Sequence, residues 1–230
     1  MATVLVIGAN RGIGLEFTKQ FLARGDKVIG TCRDGSADQE LNRLQAEQAD
    51  LQLLTLDVSS DESIAAFPAQ LGDTAVDIFI NNAGVYGPRD SVFGNVDEQN
   101  WLPVLRINSI APMLLTQSII KNLRKGQDKK LLYVTSKMGS IDDNKGGGSY
   151  IYRSSKAALN AIVKSISVDL STEGFTAAVL HPGWVQTDMG GPNALIDAQT
   201  SVSGMISVID NLSSSHAGCF FNYDGDIIPW

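Results

Sequence analysis

The amino-acid sequence predicts an α/β protein in which a doubly wound parallel sheet of about seven strands carries helices on both faces. Short β-branched or aliphatic runs alternate with helix-length segments along the whole chain. Most of these runs are continuously apolar, which is typical of strands covered on both faces and therefore of a parallel sheet. A chain of 230 residues can bury one such domain but is too short for two of ordinary size, so 1–230 is interpreted as a single domain.

Each element is predicted from its own run or periodicity. Apolar runs predict strands at residues 3–7, 27–32, 51–57, 76–81, 130–135 and 176–181, and a short last strand at 220–222. Apolar residues at three- and four-residue steps predict helices at 13–24, 38–49, 61–71, 97–124, 154–172 and 197–212. Pro112 should bend the long fourth helix, because proline removes a backbone donor. Such units form a Rossmann-type sheet, in which ligands bind beyond the carboxyl ends of the strands.

Composition excludes several classes of protein. The chain is 43% hydrophobic and 19% charged, which indicates a folded domain rather than a disordered one. A net charge of -7 offers no basic surface for nucleic acid. Cys32 and Cys219 are too few for a disulfide scaffold and form no zinc-binding pattern, so no metal site is predicted and a reducing cytoplasm is expected. Signal-peptide features and membrane-length apolar runs are absent from the sequence, so no membrane association is expected.

The segment from Gly8 to Gly14 lies between the first predicted strand and the first predicted helix. Backbone N–H groups and the positive end of that helix can face a pyrophosphate there, and glycine lets the backbone come close. The spacing is GxxxGxG rather than the GxGxxG of the common dinucleotide fingerprint. The direct succession of strand, glycine loop and helix favours a cofactor site. The alternative is a strand-to-helix turn that binds nothing.

Two arginines favour NADP(H) over NAD(H). Arg33 ends the second strand and can form a forked contact with a 2′-phosphate, and Arg11 in the glycine loop can reach the same group. Asp34 conflicts with this interpretation, because an acid at this place binds the ribose hydroxyls of NAD. The alternative role of Asp34 is to cap the turn.

Candidate acid–base residues lie in the second half of the chain. Tyr152 and Lys156 are spaced i and i+4, so they share one face of a helix. A positive charge near a phenol favours its ionised form, which an isolated tyrosine does not reach at neutral pH. Ser136 follows the fifth strand at the ligand-binding edge and could donate a hydrogen bond to a carbonyl oxygen. Ser140 and Ser149 are the alternatives to Ser136.

The order of these motifs resembles that of the short-chain dehydrogenases/reductases. They are the glycines at 8, 12 and 14, the run Asn81-Asn82-Ala83-Gly84, Ser136, the pair Tyr152/Lys156, and Pro182-Gly183. The resemblance spans nearly the whole chain, and the opening segment is especially similar to carbonyl-reductase-like and C-factor-like members. The resemblance implies the same fold and a nicotinamide cofactor.

The resemblance also implies catalytic roles. Tyr152 would protonate the carbonyl oxygen while NADPH supplies a hydride, and Ser136 would steady that oxygen. Lys156 would depress the tyrosine pKa and bind the nicotinamide ribose. Asn108 matches the family asparagine that holds a proton-relay water, and its alternative role is that of a polar residue satisfied within a bent helix.

Further cofactor contacts are implied along the strand ends. Asn10 and Ile13 belong to the glycine loop, Asp57 and Val58 resemble the adenine-contacting pair, and Asn82, Ala83 and Gly84 would pass beside the adenine ribose. In the segment that begins at Pro182 and Gly183, the backbone of Val185 and the hydroxyl of Thr187 would hold the nicotinamide amide. An aspartate such as Asp57 is also common at the approach to a helix.

The substrate site is less well defined by the sequence. A short substrate loop is expected at 188–196, and Tyr86, Met138, Trp184 and Met189 are expected around a pocket for an apolar or aromatic carbonyl compound. Each of these residues could instead serve only in packing. Tyr150 lies close to Tyr152 in sequence and is interpreted as a residue outside the catalytic set.

Two functions are carried forward. The first is NADPH-dependent reduction of a carbonyl compound, or the reverse oxidation, on a small-molecule substrate. The alternative is a C-factor-like signalling or regulatory protein that binds NAD(P) without significant turnover. A homodimer is expected through the small and aliphatic face of the helix at 154–172, although the same face could pack on its own sheet. That face comprises Ala157, Ala158, Ala161, Ile162, Ser165 and Ile166.

Overall fold

A computed structural model describes residues 1–33 and 39–230 of the chain. Seven strands form one sheet in the order β3-β2-β1-β4-β5-β6-β7, and every neighbouring pair is parallel. The predicted fold class is therefore confirmed. The strands are β1 (Thr3–Ile7), β2 (Lys27–Cys32), β3 (Leu51–Thr55), β4 (Ile78–Asn81), β5 (Lys130–Val134), β6 (Thr176–His181) and β7 (Phe220–Asn222).

The helices lie on both faces of this sheet. They are α1 (Gly12–Ala23), α2 (Gln39–Glu47), α3 (Asp61–Leu71), α4 (Glu98–Leu105), α5 (Ala111–Ser118), α6 (Ile120–Lys125), α7 (Tyr150–Asp169) and α8 (Ala198–Asp210). The helix that contains Tyr152 begins four residues earlier than predicted, at Tyr150. Asp34, named above as a conflicting cofactor residue, and Asp38, the predicted start of the second helix, lie outside the described residues.

The predicted long fourth helix is broken into three α-helices. Residues Arg106–Ile110 form a wide π-helical turn, in which the N–H of Ala111 donates to the carbonyl of Arg106. Pro112 lies one residue beyond Ala111 and has no N–H, so the carbonyl of Asn108 lacks its ordinary α-helical donor. This loss explains why the helix widens into a π turn here. The expected bend is thus a π turn, and it carries Asn108 into the protein interior.

Two hydrophobic cores explain the continuously apolar strands. In β1, Val4 and Val6 belong to the core beneath α1 and α8, whereas Leu5 and Ile7 belong to the core beneath α3, α5 and α7. Because successive side chains in a strand point to opposite faces, both faces must be apolar. Within the described residues, none of the helices has the length and apolarity that a membrane crossing requires.

Candidate active site

The carboxyl ends of β1 and β4 lie side by side and bring the glycine loop against the segment after β4. The side-chain amide of Asn82 donates to the carbonyl oxygen of Gly8 at 2.9 Å. The backbone N–H of Gly8 donates to the hydroxyl of Thr31 at 3.1 Å, which ties the same loop to β2. An ideal Cβ on Gly8 would lie 3.1 Å from the Cα of Ala83, so the two segments are in close contact.

Close backbone approach inside the loop requires glycine at position 14. A Cβ placed on Gly14 would lie 1.9 Å from the carbonyl oxygen of Gly8 and 2.6 Å from the side-chain nitrogen of Asn82. No side chain fits at these distances. Gly12 has φ +53°, in the left-handed region that glycine adopts without strain.

The start of α1 suits an anion. Arg11 occupies the N-cap position in an extended conformation, and in the described part of the chain no side chain caps this helix and no acidic residue occupies its first turn. The first N–H groups of a helix have no partner within the helix, and the helix dipole makes this end positive. The glycine loop, with Asn10 and Ile13 in it, therefore fits the pyrophosphate of a dinucleotide.

Arg33 and Arg11, the two arginines predicted to bind a 2′-phosphate, have different surroundings in the structure. Arg33 is exposed directly after β2, and it is among the groups that lower the pKa of Asp57. Arg11 instead forms an ion pair with Asp188 at 2.8 Å, and both side chains are mostly exposed. An exposed pair of this kind contributes little to stability, so Arg11 can exchange this partner for another anion at small cost.

Asp57 is held in a turn between β3 and α3. Its carboxylate accepts hydrogen bonds from the hydroxyl and the N–H of Ser59 at 2.7 and 2.9 Å, which lower its pKa. The strand ends at Thr55, two residues earlier than predicted, and the cap of α3 is Ser60. Asp57 thus shapes the approach to α3 beyond the carboxyl end of β3, and Val58 packs against the core beneath α3.

The segment after β6 faces the glycine loop. The carbonyl of Pro182 accepts a hydrogen bond from the hydroxyl of Ser201 at 2.6 Å, and Gly183 follows with φ +83°. Val185 is buried, and the Thr187 methyl lies 3.2 Å from an ideal Cβ on Gly12. The two segments therefore flank the same cleft from opposite sides.

Ser136 and Tyr152 are brought together at the end of β5. Ser136 accepts a hydrogen bond from the N–H of Met138 at 3.1 Å and is 8% exposed, and Tyr152 is 7% exposed. Burial raises the pKa of Tyr152 to about 12, and a hydrogen bond with the Ser136 side chain acts in the opposite direction. The two alternative serines are engaged elsewhere: Ser140 donates to Pro229, and Ser149 shares a hydrogen bond with Tyr86.

Lys156 lies beneath this pair. Its ammonium donates to the carbonyl of Val134 at 3.0 Å and lies 5.9 Å from the centre of the Tyr152 ring. Burial lowers the pKa of Lys156 to about 8. The family resemblance implied that Lys156 depresses the pKa of Tyr152, whereas burial of the phenol is the larger effect in this structure and raises it. An ideal Cβ on Gly84 would lie 3.4 Å from the ammonium nitrogen.

The Asn108 side chain holds the segment after β4. Its oxygen accepts from the N–H of Val85 at 2.9 Å, and its nitrogen donates to the Val85 carbonyl at 2.8 Å and to the Ser155 hydroxyl at 2.9 Å. The polar atoms of this buried amide are thus occupied by protein partners. The geometry matches a polar residue satisfied within a bent helix, one of the two roles considered for Asn108.

The four residues predicted around the substrate are not all together. Tyr86 stacks on Tyr152 with ring centres 4.4 Å apart, and the carbonyl of Met189 accepts from Arg89 at 2.9 Å. Trp184 is 51% exposed and donates to the carbonyl of Gly190. Met138 lines a cavity of about 220 Å³ whose lining includes neither Ser136 nor Tyr152.

Sequence reasoning missed Arg89, and it placed Asp188 in the substrate loop without predicting its ion pair. Arg89 contacts both Tyr86 and the 188–196 segment, and Asp188 pairs with Arg11 across the cleft. Neither residue belongs to a motif with a fixed spacing. The hydrogen bonds of Arg89 with Met189 and of Asp188 with Arg11 span 100 and 177 positions of the chain, so no local pattern could have found them.

The chain has relatives among known proteins. It is 47% identical over 165 residues to the C-signal of Myxococcus xanthus, an alignment that covers 72% of this chain and 99% of that protein. It is 35% identical over 236 residues to 1-hydroxy-2-glutathionyl-2-methyl-3-butene dehydrogenase of Rhodococcus sp. (strain AD45), covering 100% of both chains. The crystal structure of NADPH-bound carbonyl reductase from chicken fatty liver is similar, with a TM-score of 0.92 and 34% identity over 100% of this chain and 99% of that chain. The family model for short chain dehydrogenases matches residues 2–195, so the chain belongs to the short-chain dehydrogenase/reductase family of oxidoreductases.

Proposed function

We propose that this protein reduces a carbonyl compound to an alcohol with NADPH, and oxidises the alcohol in the reverse direction. The observation that carries the proposal is the buried set of Ser136, Tyr152 and Lys156 at the carboxyl end of β5. The set lies beside a glycine loop that fits a pyrophosphate. A bound nicotinamide cofactor supplies the hydride for such a reaction.

The roles of the side chains follow from their environments. Tyr152 donates its phenolic proton to the carbonyl oxygen, and Ser136 donates a hydrogen bond to the same oxygen. A phenol with a pKa raised to about 12 is fully protonated at neutral pH, which suits a proton donor in the direction of reduction. Lys156, beneath the ring, places a positive charge where phenolate character develops.

The proposed cofactor is NADP(H). Arg33 is exposed at the end of β2 and presents a guanidinium where an adenosine 2′-phosphate would lie, and Arg11 is the second donor across the loop. The similar carbonyl reductase from chicken fatty liver was crystallised with NADPH. Asn82, Ala83 and Gly84 would border the adenine ribose, and Val185 and Thr187 the nicotinamide amide.

Replacing Arg33 by alanine is expected to weaken NADPH binding by about tenfold or more and NADH binding by no more than about twofold. Only NADPH carries the phosphate, and a charge-assisted hydrogen bond contributes roughly 1.5–3 kcal/mol. Titration of the protein with each cofactor measures both affinities. Arg43→Ala is the matched control, because Arg43 lies on α2 and pairs with Glu47. Equal losses of both cofactors in the Arg33 variant would assign this residue a structural role.

A second candidate function is favoured by the similarity to C-signal. In it the chain binds NAD(P) as a signalling or regulatory protein without significant turnover. A panel of aliphatic and aromatic aldehydes and ketones, with NADPH consumption as the readout, separates the two functions. Turnover with any member of the panel supports the reductase, and cofactor binding without turnover across the panel supports the signalling protein.

We also propose a homodimer formed through the outer face of α7, and a cytoplasmic location that suits the two free cysteines. Ala161 and Ser165 are exposed on this face, and Ala157, Ala158 and Ile162 are half-buried. Small residues of this kind let two helices approach closely. Ile166 points into the protein's own core, so the predicted contact face is narrower than the sequence indicated.

Ala161→Arg is expected to dissociate this dimer, because a close helix contact has no room for a charged side chain. Light scattering should give twice the mass of one 24.6 kDa chain for the unmodified protein and a single chain for the variant. An unmodified protein that stays at 24.6 kDa at high concentration would contradict the dimer and leave the catalytic proposal intact.

A further inference from the structure

Arg89 lies next to the proposed active site, where it contacts Tyr86 and the segment that contains Met189. It lies between β4 and α4, is exposed, and has its guanidinium carbon 5.2 Å from the centre of the Tyr86 ring. One of its terminal nitrogens donates to the carbonyl of Met189 at 2.9 Å. The contact with the ring and the hydrogen bond together hold a long side chain in one orientation.

A stack of three side chains links this cation to the proposed proton donor. Tyr86 lies against Tyr152 with ring centres 4.4 Å apart and an angle of 23° between the ring planes, and Arg89 covers Tyr86 in turn. The distance from the Arg89 guanidinium carbon to the centre of the Tyr152 ring therefore cannot exceed the sum of the Arg89–Tyr86 distance and the Tyr86–Tyr152 distance. A small molecule that places its carbonyl oxygen at Tyr152 and extends past the Tyr86 ring can therefore reach Arg89 with its other end.

Among the described residues, Arg89 has no carboxylate partner, unlike Arg11 and Lys137, two other exposed cations near this edge of the sheet. Arg11 pairs with Asp188 at 2.8 Å, and Lys137 pairs with Asp143 at 3.3 Å. Arg89 forms no ion pair within 4.0 Å with any residue in the ranges 1–33 and 39–230. The neighbouring Asp90 accepts from the side-chain amide of Asn95 instead.

The remaining N–H groups of Arg89 suit a planar anion. A guanidinium has five N–H donors in a fixed fork that matches the two oxygens of a carboxylate, and the bond to Met189 uses one of them. Because the side chain is already oriented, little conformational entropy is lost when an anion binds. The protein as a whole is negatively charged, with a net charge of -7, whereas the unpaired Arg89 places a positive charge beside the proposed active site.

We propose that Arg89 binds a carboxylate on the substrate, so that the preferred substrates are oxo acids whose carboxylate lies a few bonds from the reacting carbonyl. This inference rests on the proposed reductase function and adds the class of substrate. Arg89 sets specificity and takes no part in the proton transfer.

A matched pair of aldehydes tests this proposal. 4-Carboxybenzaldehyde carries the carboxylate on a rigid ring, and methyl 4-formylbenzoate is its neutral ester. Arg89→Gln is expected to lower kcat/KM for the acid by about tenfold or more, mainly through KM, and to change kcat/KM for the ester by no more than about twofold. The ester also reports any loosening of the 188–196 segment that follows from losing the bond to Met189.

The control removes the same charge elsewhere. Lys121 is exposed on α6, which precedes β5 and lies toward the amino ends of the strands. Lys121→Gln is expected to leave the ratio of kcat/KM for acid and ester unchanged. An equal fall for both aldehydes in Arg89→Gln, an unchanged ratio in that variant, or the same fall of the ratio in Lys121→Gln would overturn the proposal.

A binding measurement tests the carboxylate site independently of the proposed reductase activity. 4-(Hydroxymethyl)benzoate, the expected product, is titrated calorimetrically into the protein with NADPH present, because the alcohol and the reduced cofactor cannot react with each other. Binding of the alcohol that weakens by about tenfold in Arg89→Gln supports the carboxylate site. If neither aldehyde is reduced but this binding result is obtained, only the reductase proposal fails. Equal binding by the two proteins, or no binding by either, overturns the carboxylate site even where both aldehydes are reduced.

Discussion

Tyr152→Phe is expected to lower turnover by about 100-fold or more while cofactor affinity changes by no more than about twofold. The substitution removes the phenolic proton and leaves the ring, which keeps its stacking on Tyr86. Steady-state rates with the best carbonyl substrate measure the loss, and cofactor titration shows that the cleft is intact.

Tyr150 provides a matched control for this substitution. It lies two residues earlier in the same helix, is 38% exposed, and borders the cavity of about 220 Å³, whose lining does not include Tyr152. Tyr150→Phe removes an equal hydroxyl and should leave turnover within about twofold. Near-normal turnover in Tyr152→Phe would remove this residue from the mechanism.

Gly14→Ala is expected to destabilise the protein by about 3 kcal/mol or more and to abolish tight cofactor binding. The added methyl group would lie 1.9 Å from the carbonyl oxygen of Gly8, so either α1 moves away from the sheet or the glycine loop changes shape. Urea denaturation followed by circular dichroism measures the free energy of unfolding.

Gly146→Ala is the matched control, because an ideal Cβ on Gly146 meets nothing within 4 Å. This variant should unfold within about 0.5 kcal/mol of the unmodified protein. A Gly14 variant as stable as the Gly146 variant, with unchanged cofactor affinity, would show that the close contact at Gly14 does not exist in solution.

The sheet could be predicted because its strands carry their own signal. In β1 the side chains of Leu5 and Ile7 point into one hydrophobic core, and those of Val4 and Val6 point into the other. A strand that contributes to two cores must be apolar at every position. The start of α7 carried no such signal. Ser149 precedes it in a left-handed conformation with φ +47° and makes no capping hydrogen bond with its side chain, so the sequence indicated a later start.

Residues that belong to motifs could be assigned from the sequence, whereas contacts that form between distant loops could not. Ser136 and Tyr152 lie together as their order in the chain indicated. The contact of Arg89 with Met189 joins two loops that are far apart in sequence, and only the folded chain shows it. Arg11 was assigned to the 2′-phosphate from its place in the glycine loop, and the structure adds an ion pair with Asp188 that no local pattern indicates.

Transfer of deuterium from the cofactor to the product is the most direct test of the reductase proposal. NADPH that carries deuterium at the transferable position of its nicotinamide is incubated with the protein and the best carbonyl substrate, and the alcohol is analysed by mass spectrometry. The expected product is an alcohol with one deuterium on the former carbonyl carbon, formed by the unmodified protein and at least about 100-fold more slowly by Tyr152→Phe. An alcohol without deuterium, or no alcohol from any carbonyl compound under conditions in which NADPH binds, would contradict the reductase proposal.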